Sequence, residues 1–291
     1  MRVTESMRLD ALSVSQKQAA SQLYSASQRA SSGTQVAAPS DGPAAYSKVT
    51  VYDATITRLT NRATQISQAA DRLDIADGAL ANAADILAHA RELAVQMANA
   101  AVDPAARARV ASEVSQLTDE LVGLANTKNG SDYAFAGTAT ATPPFSATGA
   151  FTGNDDAIQI ETSDGVLART NASGAKAFTA AGGRDVFQDM ASFQQALATN
   201  NVAGIQASID SMEAAHVQII SARSEVGVAS ARLRAAGTMT TSMLTSIQTS
   251  RSHAADADPV EAYTALSQAK STYERSMQVT AQILSLATFR S

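Results

Sequence analysis

Ile56, Leu59, Ala63, Ile66, Ala70, Leu73, Asp77, Leu80, Ala84, Leu87, Arg91, Ala94 and Ala98 follow one another at alternating spacings of three and four residues. Only Asp77 and Arg91 interrupt an otherwise apolar ladder. A repeat averaging 3.5 residues is the seam of a long helix that supercoils on a partner. A second ladder of the same kind lies far down the chain: Ile205, Ile209, Met212, His216, Ile219, Arg223, Val226, Ser230, Leu233, Gly237, Thr240, Leu244 and Ile247. Two such seams within one chain predict a long antiparallel helix pair, and so an elongated, rod-like molecule.

Outward from the first ladder, both ends of the chain repeat the pattern. Leu9, Leu12, Gln16, Ala19, Leu23, Ala26 and Ala30 form a shorter seam, closed by Gly33, a helix-ending residue. Ser40-Asp41-Gly42-Pro43 supplies an oxygen cap and a first-turn proline for the long helix. A helix from about residue 43 to 100 would measure roughly 85 Å at 1.5 Å per residue. Asp103-Pro104 starts a third helix in the same way, carrying Val110, Val114, Leu117, Leu121 and Leu124 and expected to fold back on the second. Near the other end, Asp258-Pro259-Val260-Glu261 opens a final helix with Tyr263, Leu266, Lys270, Tyr273, Met277, Thr280, Leu284 and Ala287 in three-four spacing. Capped breaks at 33–43 and 252–258 set both terminal helices off from their long neighbours.

Between the two long ladders the pattern changes. Tyr133-Ala134-Phe135-Ala136-Gly137 reads as a short strand, and Ala157-Ile158-Gln159-Ile160-Glu161 alternates. Phe145, Phe151, Val166, Leu167 and Phe178 recur between Gly, Pro, Asn and Asp turns. These features predict a β-rich insert over 133–186, followed by a short helix near Asp189–Thr199. The fold class is therefore mainly α with a small β insert. Its expected parts are 1–42, an N-terminal helix and linker; 43–132 and 187–252, the two halves of a helical centre; 133–186, the insert; and 253–291, the C-terminal helix.

Composition narrows the function classes. The 291 residues carry a net charge of −5, and charged residues make up 17% of the chain, below the roughly 25% of ordinary soluble domains. Ala, Ser, Thr and Gln take their place and suit close helix contacts. There is no Cys and no Trp, which excludes disulfides and thiolate chemistry. The mild acidity speaks against a nucleic-acid partner. No run reaches the apolar length of a membrane span. The first residues are polar and mixed in charge, unlike a cleaved secretory signal.

Chemistry-bearing clusters are sparse. His89, His216 and His253 share no local motif. His89 and Glu92 stand three apart and read as a solvated pair rather than metal ligands. His216 falls on a seam and reads as a packed histidine. Asp71, Asp74 and Asp77 read as a solvated or interface stripe. Asn154-Asp155-Asp156 and Asp256/Asp258 lack calcium-loop spacing, and Gly182-Gly183 is not followed by the residues of a phosphate loop. No catalytic residue, cofactor site or metal site is expected, and the chain does not read as an enzyme.

Several stretches resemble the flagellin superfamily. Gln28-Arg29-Ala30-Ser31-Ser32-Gly33, then Pro39-Ser40-Asp41-Gly42-Pro43-Ala44, is similar to its N-terminal helix end and break, with Gly42 where an acidic or polar residue is commoner. Arg223-Ser224-Glu225-Val226-Gly227 resembles the R-x-x-[LV]-G element of its C-terminal long helix, and Ala255–Ala262 its acidic break. Tyr133, Phe135 and Gly137, with Phe145 after Pro143-Pro144, resemble an element of the family's hook–filament junction members more than of flagellin. The resemblance implies a structural, non-enzymatic subunit of the bacterial flagellum, used in motility. Its terminal helices would line a tube, with the β insert facing outward. The implied partners are copies of itself in a ring, hook-associated protein 1 on the hook side, flagellin on the filament side and a cytosolic export chaperone at the C-terminal helix. Type III export to the cell exterior without a cleaved signal is implied too. Leu9, Leu12, Leu23, Leu266, Tyr273, Met277 and Leu284 are the expected contact residues, because two terminal helices pairing only with each other leave apolar faces open. The alternative is a self-polymerising flagellin. A chemoreceptor-type hairpin lacks the insert and the breaks, and an enzyme with its site in the insert lacks a titratable cluster.

Overall fold

A computed structural model describes residues 5–288. Seven α-helices occupy most of them: α1 (Glu5–Ser32), α2 (Pro43–Met97), α3 (Pro104–Ala125), α4 (Gly174–Phe178), α5 (Val186–Ala198), α6 (Val202–Ala255) and α7 (Pro259–Thr288). Four short strands, β1 (Lys128–Asn129), β2 (Asp132–Tyr133), β3 (Gln159–Ser163) and β4 (Val166–Arg169), form two antiparallel hairpins, β1–β2 and β3–β4. The chain divides into two compact units. One comprises Met1–Arg58 with Met243–Ser291, the other Leu59–Ser242.

In the unit Leu59–Ser242 the two ladders face each other. Leu59, Ile66, Leu73, Leu80, Leu87 and Ala94 of α2 are buried, as are Ile205, Met212, Ile219, Val226 and Leu233 of α6. The pairing is antiparallel. Arg91 meets Glu213 at 3.0 Å, Asp77 meets Arg223 at 3.0 Å, and Asp74 accepts from Ser230 and Arg234 at 2.9 and 2.5 Å. Partner numbers thus rise as the α2 numbers fall. The two polar residues that interrupt the first ladder, Asp77 and Arg91, both find charged partners on α6. Arg223 binds Asp77 through both Nε and Nη2, which raises the guanidinium pKa, chiefly through that hydrogen bond. His89 pairs with Glu113 of α3 at 3.2 Å rather than with Glu92, and His216 is half-buried on its seam.

The insert is less β-rich than its alternation suggests. Of the expected 133–137 strand only Tyr133 lies in a strand, paired with Lys128, and residues 134–137 turn. Gly137 sits at φ +66, and a Cβ there would collide with the backbone oxygen of Asn154. The segment bends because Phe135 and Phe145 must enter the same core. Phe135 meets Phe178 edge-on at 5.4 Å, and Phe145 touches Phe151, Phe178 and Phe187 at 5.1, 5.5 and 5.3 Å. These rings belong to one apolar cluster with Leu73, Leu80, Met190 and Leu233. From α6, buried Gln218 donates to the carbonyls of Ala177, Thr179 and Arg184 and accepts from Arg184 N–H. Backbone groups that the irregular insert leaves unpaired are satisfied in this way.

Capping chemistry departs from expectation at two sites. Asp103 stands at the N-cap of α3, but its side chain makes no cap bond. Asp41 points away from α2, accepting from Ala37 and Ala38 N–H at 3.0 and 2.8 Å inside a 3-10 turn, Pro39–Asp41. Asp258 does cap α7, accepting from Val260 and Glu261 N–H.

Candidate assembly interface on the terminal helices

In the unit Met1–Arg58 with Met243–Ser291, α1 packs on α7. Gln16 Nε2 donates to Met277 Sδ at 2.7 Å, whereas Ala26 and Arg29 share a shallow groove with Ala262, Ala265 and Ala269. The two helices therefore run antiparallel. On α1 the expected seam holds: Ala19 and Ala26 are buried, and Leu12, Gln16, Leu23 and Ala30 are half-buried.

On α7 the seam lies partly beside the expected one. The residues turned inward are Ala262, Leu266, Ala269, Tyr273, Ser276, Thr280 and Ile283. This run keeps the three-four spacing and shares Leu266, Tyr273 and Thr280 with the sequence ladder. Tyr263, Lys270 and Met277 are displaced from it, Tyr263 being 64% and Met277 44% exposed. Small residues explain the shift. A helix presenting Ala262, Ala269 and Ser276 approaches its neighbour more closely than one presenting Tyr263 and Lys270. Tyr263 then lies outside the pair, while Met277 keeps its sulfur against Gln16 at the edge of it. Leu9 and Leu284 fall on α1 and α7, but their side chains lie outside the described residues.

What remains exposed is unusually apolar for a helix pair. Val14 and Tyr24 on α1 and Val260, Tyr263, Met277 and Val279 on α7 are all at least 44% exposed. Among the described residues only Ala19, Ala26 and Ala262 of these two helices are buried. At about 25 cal/mol per Å² of apolar area, three buried alanines stabilise little. The pair thus has a thin internal seam and carries large apolar side chains exposed outside it. The sequence ladder missed Val14, Tyr24, Val260 and Val279 because they stand off its phase.

The motif residues have separate local reasons. Gly33 takes φ +67 just past α1, its N–H bonding Arg29 O at 2.9 Å, a left-handed helix end that suits glycine. Pro39, Ser40 and Asp41 form the 3-10 turn, and Pro43 opens α2. Backbone hydrogen bonds from Ala38 and Ala37 hold the Asp41 carboxyl below the usual carboxylate range. Tyr133 lies under the Lys128 ammonium, 4.7 Å from the ring centre. Val226 is buried on the α6 seam. Gly227, beside it, has open space where a Cβ would stand, so nothing among the described residues requires glycine there. Among the described residues no His, Asp or Glu cluster could hold a metal, every buried side-chain polar atom has a partner, and no helix is long and apolar enough to cross a membrane.

Residues 4–140 match the bacterial flagellin N-terminal helical region and residues 209–287 match its C-terminal helical region. The chain belongs to the bacterial flagellin family. Both matched regions include a terminal helix, its break and a length of the adjoining long helix. Among the relatives of this flagellin-family chain is flagellar hook-associated protein 3 of Escherichia coli (strain K12). It is 30% identical over 131 residues, which are 44% of this chain and 41% of that protein. The match thus spans about two fifths of the curated relative. Solved structures share the fold. FlgL of Xanthomonas campestris superposes with a TM-score of 0.60 at 21% identity, covering 69% of this chain and 98% of that one. The flagellar junction protein FlgL of Legionella pneumophila gives 0.55 at 14% identity, covering 64% and 99%.

Proposed function

We propose that the chain is a structural subunit of the bacterial flagellum that joins hook to filament, and that copies engage their neighbours through α1 and α7. The observation that carries this reading is the helix pair itself. It belongs to a flagellin-family chain, fully buries only alanines among the described residues, and leaves Tyr24, Val260 and Tyr263 outside. The junction role, rather than that of a self-polymerising flagellin, is favoured by the names of the relatives, hook-associated protein 3 and a flagellar junction protein. The turn at Phe135–Gly137 with Phe145 supports the same choice.

In this reading Leu12, Leu23, Leu266 and Tyr273 hold α1 on α7, Met277 meets Gln16 across that pair, and the exposed Tyr24, Val260 and Tyr263 face a neighbour. Partners are copies of the chain in a ring, hook-associated protein 1 and flagellin, with an export chaperone on α7 beforehand. The protein acts outside the cell, after export without a cleaved signal, and catalyses nothing. Burial on assembly offsets the entropy of fixing the two helices.

Tyr263→Asp tests the interface. Tyr263 is exposed and off the internal seam, so the monomer keeps its stability while incorporation into flagella falls at least tenfold. Unchanged incorporation refutes the interface. For the role, cells lacking the protein should carry hooks without filaments and shed flagellin into the medium. Filaments of normal length on such cells would refute the junction assignment.

A further inference from the structure

The two interruptions of the helical pattern, 33–42 and 256–258, are joined to each other. Gln35 and Val36 N–H both donate to Ala255 O, at 2.7 and 3.2 Å, and Ala257 N–H donates to Gly33 O at 2.9 Å. Thr34 and Asp256 form an antiparallel bridge between them. Ala255, which supplies the shared carbonyl, is 1% exposed. These are backbone bonds between chain segments more than two hundred residues apart, and neither segment is part of a sheet.

A charged clasp lies beside this bridge. Arg251, in the last turns of α6, donates through Nε to Asp53 Oδ1 of α2 at 2.8 Å and places Nη1 3.6 Å from Asp256 Oδ1. The other Asp256 oxygen accepts from Ser252 Oγ at 2.6 Å. One guanidinium thus ties α2 to the second interruption, and the carboxylate it holds belongs to the bridge residue. On the far side Asp41 gathers the N–H groups of Ala37 and Ala38, which fixes the path leaving the first interruption.

We propose that the two interruptions form a single joint, closed in the isolated subunit, which sets the register of α1 against α7 before either meets a neighbour. The inference rests on the reading of α1 and α7 as assembly helices and deepens it. The fully buried layer of the α1–α7 seam is alanine alone, Ala19, Ala26 and Ala262, and that layer specifies register poorly, since sliding by one heptad sets Ala26 where Ala19 stood and Ala269 where Ala262 stood. A joint at the base of both helices removes that freedom. It also makes their pairing an intramolecular zippering from a closed end, which avoids most of the loop-closure and nucleation cost. Arg251 is the positioning residue of the joint, and it acts through Asp53 and Asp256.

Residue-resolved amide hydrogen exchange on the full-length monomer tests this. The amides of Gln35, Val36 and Ala257 should be protected, although they lie outside any helix. Arg251→Gln should speed their exchange about fivefold, the scale of an exposed ion-pair network, and leave amides within 59–242 unchanged. Asp53→Asn should act in the same direction, and the double variant should exchange no faster than Arg251→Gln alone. Free-chain exchange of the three amides in the unaltered protein, or rates indifferent to Arg251→Gln, would overturn the joint. Tyr263→Asp reports on the assembly reading separately. If that variant assembles normally while the three amides behave as expected, the assembly reading fails and the joint stands.

Discussion

Phe145→Ala asks whether the insert has a core of its own. Phe145 is 2% exposed and touches three other rings. Removing a buried phenyl ring costs about 3–5 kcal/mol in transfer and cavity terms. Ring pairs add roughly 0.5–1.5 kcal/mol each beyond area, but neighbouring losses overlap. About 4 kcal/mol is expected. Its rings share one apolar cluster with Leu73, Leu80 and Leu233 on the long helices, so the loss should fall on the whole unit Leu59–Ser242. For a unit of this size each kcal/mol lowers the melting temperature by roughly 2–4 °C, giving about 10 °C in all. Calorimetry and circular dichroism should show one transition of that unit moved down as a whole. A variant in which the insert melts early while the α2–α6 transition stays in place would refute the shared core.

Arg107→Met should destabilise the same unit by about 2–4 kcal/mol in urea. The Arg107 guanidinium is 1% exposed and donates to Met97 O, Asn99 O and the Asn200 side chain. Truncation leaves these acceptors unpaired at about 1–3 kcal/mol each, partly offset by relief of a buried charge. A change under 0.5 kcal/mol would show that the clamp carries nothing. Gly227→Ala should stabilise the monomer by about 0.5–1 kcal/mol, since glycine mid-helix is unfavourable and the space is open; a less stable monomer would reveal a contact within the chain. Asp155 gives a pH dependence. Partial burial pushes its carboxyl up, but hydrogen bonds from Ser173 and Arg169, with the positive charges of Arg169 and Lys176, outweigh this and hold it below the usual carboxylate range. A depressed folded-state value contributes stability that is present above the unfolded value near 4 and lost as pH falls through the folded one. Asp155→Asn should therefore lower stability at pH 6 and matter less below pH 3. An equal effect at both values would exclude the linkage.

The long seams were legible because a burial period of 3.5 residues is written directly in the order of apolar side chains. Leu59, Ile66, Leu73, Leu80, Leu87 and Ala94, with Ile205, Met212, Ile219, Val226 and Leu233, are buried as their spacing requires. Glycine and proline signals were legible for the same local reason, so Gly33 ends α1 and Pro43 and Pro259 open α2 and α7. The α7 frame was not legible. Tyr263 and Ala262, or Met277 and Ser276, are adjacent in sequence, and each of two frames satisfies a three-four rule. Proximity of α1 chooses the frame with small side chains inside. Nor could spacing show where Asp41 and Asp103 would direct their oxygens, since each has several amides within reach.

By itself the amino-acid order determined the helices, their breaks, the facing of the long ladders and the likeness to the flagellin family. These depend on neighbours within a few turns or on apolar period. Only the tertiary structure decided that Asp77 and Arg91 would be answered by Arg223 and Glu213, that the insert's rings would enter the helical core, and that Tyr263 would be left outside. Each of those depends on which side chains from distant segments compete for the same space, and a linear pattern does not contain that competition.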